Sequence, residues 1–150
     1  MQKILSQEEI KKVLYKAFHG HLGCADGRNV YVVPINFAYD GEFIISHTGE
    51  GKKVEIMRVE PKVCFQVEII TSPGNWKSVI VYGTFEEVDD EEIRKKYMQL
   101  LLKKVLPEVP QAMTRPHEPA GSLDRREAEG LSEIIYRIRI NEMTGRFQKT

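Results

Sequence analysis

In the first twenty residues, Ile10, Val13, Leu14, Ala17 and Phe18 recur at the spacing of one helix face. Ser6-Gln7-Glu8-Glu9 before them fits a capping box, and Gly20 after them reads as a stop. A helix over about residues 7–19 is predicted. The period then shortens. Val30 to Tyr39 is rich in Val, Ile, Tyr and Phe, with Asp26-Gly27 before it and Asp40-Gly41 after it, and Glu42 to His47 reads as the return strand of a hairpin. Lys62–Ile70 and Trp76–Glu87 give two more strands around the turn Thr71–Asn75, and Ser132–Ile140 alternates as a last one.

In several of these strands both alternating faces are apolar. Tyr31, Val33, Ile35, Phe37 and Tyr39 fall on one side, and Val30, Val32, Pro34 and Ala38 on the other. A sheet with water on one side carries a polar face instead. Covering both sides calls for a closed barrel plus a helix, or for a partner subunit. A short helix is predicted from Lys53 to about Val59, stopped by Pro61, and a longer one from about Asp90 to Leu106. In the latter, acids open the helix and Lys103 and Lys104 close it, as the helix dipole favours. Residues 107–119 hold four of the seven prolines and read as a loop, with a lid as one role. The predicted fold is α+β: one domain over residues 1–150, a barrel of about six antiparallel strands with peripheral helices.

Composition narrows the classes of function. Twenty-two Lys+Arg balance twenty-two Asp+Glu, so the basic excess that drives binding to a phosphate backbone is missing, and nucleic acid is not the expected partner. Uncharged apolar runs such as Val79–Tyr82 are too short to span a bilayer, so no membrane is expected either. The first residues lack the apolar stretch of a secretory signal, which makes a cytoplasmic location the expectation. Cys24 and Cys64 sit in apolar runs and read as buried free thiols.

The richest segment for chemistry is His47-Thr48-Gly49-Glu50-Gly51-Lys52-Lys53. It leaves a strand, passes two glycines and brings two lysines to a helix start, where free amides and the positive dipole end suit a phosphate. It is not a P-loop: Ser46 stands at the leading glycine, and Lys53 where a magnesium-holding hydroxyl belongs. Val54 at the third glycine position excludes a dinucleotide fingerprint as well. On spacing alone, a plain turn with solvated lysines is the more economical reading. His19-Gly20-His21 has the spacing of a metal pair, but Gly20 reads as a helix end between them and no third ligand is near, so no metal site is expected. Cys24 reads as inert core. His47 beside the glycine loop is the better functional candidate, against the usual strand-end histidine bonded to backbone. Trp76 after a Pro-Gly turn could stack on an aromatic ligand or simply pack. His117 reads as a solvated loop residue.

Taken in order, Gly20-His21-Leu22-Gly23-Cys24, Tyr31 to Phe37, Ile44 to His47 with Gly51-Lys52-Lys53, Val63 to Glu68, Ser78 to Gly83 and Ile138 to Arg146 form a pattern. It resembles the nitroimidazole-resistance (Nim-type) flavoproteins, within the pyridoxamine-phosphate-oxidase-like FMN-binding split barrels, over about residues 6–146. The resemblance implies a homodimer with FMN in a cleft between the subunits. It sets Lys52 and Lys53 on the flavin phosphate, with Thr48, Gly49 and Gly51 beside them. It sets Pro34, Ile35 and Asn36 along the flavin ring, His47 at a strand end near the flavin, Ser78 near a flavin-contacting position and Trp76 on the cleft wall. The oxidase proper carries an arginine and a lysine in the strand corresponding to Val32–Phe37, and here that strand is apolar apart from Asn36. No basic pocket for pyridoxal phosphate follows, so vitamin B6 oxidation is not expected.

The leading reading is an FMN-dependent oxidoreductase acting on a small organic acceptor such as a nitro-aromatic compound, with His47 as the candidate catalytic residue. The alternatives are a flavin-binding protein without turnover, or a haem-binding split barrel with His19, His21 or His47 as axial ligand.

Overall fold

The computed structural model describes residues 2–105 and 134–150. The expected loop over 107–119, His117 and the Ser132 start of the last strand lie outside them. Strand β1 (Gln2–Ile4) and helix α1 (Gln7–Lys16) lead into β2 (His19–Ala25), β3 (Val30–Asn36), β4 (Ala38–Tyr39) and β5 (Phe43–Thr48). Helix α2 (Lys52–Val59), β6 (Lys62–Ser72), β7 (Asn75–Glu87), α3 (Glu91–Val105) and β8 (Ile134–Gln148) complete the order.

Helix α1 begins with the expected capping box: the Glu9 amide donates to Ser6 Oγ at 3.2 Å and the Ser6 amide to Glu9 Oε1 at 3.0 Å. It ends at Lys16, earlier than predicted, because Ala17 is already extended. Gly20 is therefore not a helix stop. It lies inside β2, where a Cβ would sit 2.6 Å from the Phe65 ring and 2.7 Å from the Gln66 carbonyl, so the close approach of β6 demands glycine.

All strand pairings are antiparallel, in the order β3-β2-β6-β7-β8-β5-β4, with β1 added on β8. The sheet has eight strands rather than about six. Strands β1 and β2 were not predicted, and β8 runs on to Gln148. The predicted strand over 30–39 is broken at Phe37, whose amide donates to the Phe18 carbonyl at 2.8 Å. Phe37 alone separates β3 from β4, the two ends of the strand order. The chain thus leaves one edge of the sheet and enters the other, curling it into an open barrel. No ladder joins β3 to β4 among the described residues.

The concave interior holds Leu22, Ile35, Phe65, Val81 and Ile138, capped by Ile10 and Leu14 of α1 and by Val54 and Met57 of α2. A side chain such as Leu14, fully buried, contributes about 1.5–3 kcal/mol by leaving water. On the convex face α3 covers one half, setting Tyr97, Met98 and Leu101 against Phe43, Ile45 and Ile135. The other half is bare. Val30 is 86% exposed, Val32 64% and Tyr82 44%.

Candidate functional site

Two helix starts differ in chemistry. At α1 a side chain satisfies the first amides. At α2 the N-cap is Gly51, with no side-chain hydrogen bond to the helix start. The free amides of a helix start need a partner, and the positive dipole end favours an anion. Lys52 is exposed there, its ammonium 5.3 Å from the centre of the Tyr31 ring on β3. Lys53 is half-buried and acts on the Cys24 thiol. Burial pushes that thiol up, Asp26 adds to the rise and Lys53 opposes it, so Cys24 stays protonated near neutrality. Cys24 and Cys64 are both free, and Cys64 is half-buried rather than buried.

The loop ahead of α2 is held from behind. Arg58 donates from both terminal nitrogens to Glu50 at 3.0 Å and from Nε to Glu87, which draws the one carboxylate of the loop away from the lysines. The Thr48 hydroxyl donates to the Gly49 carbonyl at 3.1 Å. A Cβ at Gly49 or Gly51 would meet nothing within 4 Å, so the backbone is open to close approach from outside.

Register puts the other expected residues on the convex face. One cross-strand row reads Val32, Gly23, Cys64, Tyr82, and the next reads Pro34, His21, Gln66, Ile80. Ser78 follows beside Glu68 and accepts from Gln66 Nε2 at 3.1 Å. Asn36 is exposed, and its Oδ1 accepts from His19 Nδ1 at 3.0 Å. Pro34, Asn36 and Ser78 therefore share the bare surface. Ile35 does not: at 6% exposure its side chain belongs to the interior, leaving only backbone for a ligand.

His47 shares its strand face with Phe43 and Ile45, the part under α3, and pairs in register with Ile135. Trp76 is half-buried at the start of β7 and lines a separate cavity beside α1. Lys52 does not line the cavity of Trp76.

Sequence reasoning missed the positions of Tyr31, His19 and His21. The two histidines stand on one face of β2, edge to face with ring centres 5.6 Å apart, on a cavity of about 490 Å³ that also touches Lys16, Phe18 and Glu68. The His-x-His spacing carried that signal once Gly20 is read as strand. Among the described residues no group of three or more His, Cys, Asp or Glu could hold a metal. No helix among them is long and apolar enough to cross a membrane.

A curled open sheet with these features occurs in known proteins. The chain belongs to the pyridoxamine 5'-phosphate oxidase family, which it matches over residues 6–147. An uncharacterized Rhizobium meliloti protein is 29% identical over 96% of this chain and 93% of its own length. A FAD-binding protein from Mesorhizobium loti is 28% identical and superposes with a TM-score of 0.76, covering 100% of this chain and 98% of that one. A candidate 5-nitroimidazole antibiotic resistance protein from Bacteroides thetaiotaomicron has the same fold at 18% identity, with a TM-score of 0.72 over 98% of this chain and 87% of that one.

Proposed function

We propose that this chain is an FMN-binding flavoprotein, homodimeric through the bare half of its sheet, that reduces a small organic acceptor such as a nitro-aromatic compound. The observation that carries the reading is the start of α2, where amides without a side-chain cap, two lysines and the Tyr31 ring converge. A terminal phosphate fits that donor set. The FAD-binding relative supports a flavin, and a phosphate site favours a phosphorylated flavin over riboflavin. When bound, the flavin supplies the electron transfer chemistry.

The protein's own part is binding and orientation. Lys52 and Lys53 hold the phosphate, and the open backbone over Thr48–Gly51 lets it approach. Pro34 and Asn36 present one rigid apolar and one polar contact to a ring lying on β3. Val30, Val32 and Tyr82 form the apolar surface that a second copy would cover, excluding water from the ring. Vitamin B6 oxidation is not proposed, because Val32–Phe37 holds no basic residue.

Replacing Lys52 or Lys53 by Ala should weaken FMN binding by roughly 10- to 150-fold, the worth of one charge-assisted hydrogen bond. Riboflavin, lacking the phosphate, should bind wild type poorly and respond little to either substitution. Wild type binding both flavins equally would defeat the assignment. An electron-donor and acceptor screen on the loaded protein then separates an oxidoreductase from a carrier without turnover.

A further inference from the structure

On the α1 side of the sheet, away from the start of α2, lies a second cavity of about 500 Å³. Lys12 and Lys16 reach it from one helix face, Lys77 from β7 and Lys149 from the segment after β8. Among the described residues, Glu9 is the only carboxylate on its wall. In a chain with equal numbers of acidic and basic residues, this is a local excess of positive charge.

Glu9 offsets only part of that excess. Glu9 is engaged by Ser6 in the capping box, and the Ser6 backbone and hydroxyl hold its carboxyl below the ordinary range, with Lys77 and Lys12 adding to the effect. None of the four ammonium groups forms an ion pair among the described residues. The rest of the wall mixes apolar and aromatic residues, Val13, Ile69, Trp76 and Phe147, with the uncharged polar residues Thr71, Asn75 and Gln148. Lys16 and Ile69 also border the cavity of His19 and His21, so the two hollows adjoin.

Ammonium groups alone would suit any anion, and an apolar aromatic wall alone would suit any flat ring. Together, in a hollow of small-molecule size, they suit a molecule with both parts. We infer that this cleft is a second ligand site, for a nucleotide bearing a diphosphate, distinct from the flavin site proposed at Lys52 and Lys53. The inference does not rest on the flavin reading, since the two sites share no residue apart from Trp76, which the structure places here.

Equilibrium dialysis of the full chain with labelled ADP, with and without saturating FMN, tests it. One ADP should bind per chain and remain when FMN is present. Adenosine and pyrophosphate should each bind at least about tenfold more weakly, since each keeps only half of the recognition. Lys77→Glu with Lys149→Glu should weaken ADP binding by roughly 100-fold, and Lys77→Arg with Lys149→Arg by less than about threefold, because charge is kept. The arginine pair also separates lost recognition from a damaged fold. Absence of ADP binding to wild type, displacement of ADP by FMN, pyrophosphate binding as tightly as ADP, or full binding by the glutamate pair would each overturn the inference.

Discussion

Strand β7 crosses two environments on one face of one sheet. From Ser78 to Tyr82 its convex side is bare, and from Thr84 to Glu86 it lies in the region that α3 covers. The covered half packs α3 on Phe43, Ile45 and Ile135 and adds polar pairings beside them. Glu86 accepts from Arg137 Nε and Arg139 Nε, each at 2.9 Å, Arg137 also donates to the Tyr97 hydroxyl at 3.0 Å, and its guanidinium lies 4.0 Å from the Phe43 ring centre. The bare half has Val32, Ile80 and Tyr82 and few charges. Apolar packing joined to charged pairs suits a surface closed within the chain, where each partner is fixed in place. Apolar side chains left open suit a surface that something else closes.

The boundary between the halves is a β-bulge after Tyr82, and Gly83 is its hinge point. A Cβ there would stand 2.4 Å from the Arg139 carbonyl oxygen and 2.4 Å from Ile138 Cγ2. Gly83→Val should have the largest effect on stability, a loss of about 3 kcal/mol or more, because backbone has to move. Urea unfolding measures it, and a loss below about 1 kcal/mol would mean that the bulge is not held by this contact.

Next comes the ion network of the covered half. Burial pushes the Glu86 carboxyl up, but Arg139 and Arg137 together outweigh it and hold the group below its ordinary 4.5. A carboxyl lowered in the folded state adds stability above its unfolded value and loses it as pH falls through the folded value. Glu86→Gln should therefore cost about 1–2 kcal/mol at pH 7 and remove part of the stability loss seen below about pH 4.5. Parallel acid titrations of the two proteins that coincide would contradict the pairing.

The smallest effect belongs to the interior that both halves share. Tyr136 is fully buried, and its hydroxyl has no hydrogen-bond partner among the described residues. Burial pushes the phenol up to about 12, against a smaller opposite pull from Ser46. A group raised in the folded state loses its stabilising contribution as pH rises from the unfolded value toward the folded one. Tyr136→Phe should change stability by less than about 1 kcal/mol at pH 7 and flatten a loss of about 1.4 kcal/mol per pH unit above pH 10. Thermal melts at pH 7 and pH 11 check both parts.

The three helices were legible because their signals are local: a capping box, a Pro stop, acids before lysines. Strand β2 was not, since Gly20 and Gly23 resemble loop composition, and only the approach of β6 makes Gly20 a strand residue. The second half of β8 was hidden by outward polar residues such as Glu142, Thr144 and Arg146. At the site, the lysine pair at α2 could be read from its glycine loop. That Pro34, Asn36 and Ser78 share one surface, while His47 shares its strand face with Phe43 and Ile45, needed register across the sheet. The apolar outer positions Val30, Val32 and Pro34 did announce an uncovered face, because alternation assigns sides without any partner being known.

The central claim is that this bare half is closed by a second copy of the chain. Sedimentation equilibrium at micromolar concentration, on wild type and on Val32→Glu with Tyr82→Glu, tests it most directly. Wild type should sediment as a dimer and the double variant as a folded monomer with flavin affinity lost. A wild-type chain that stays monomeric, with or without FMN, would contradict the account.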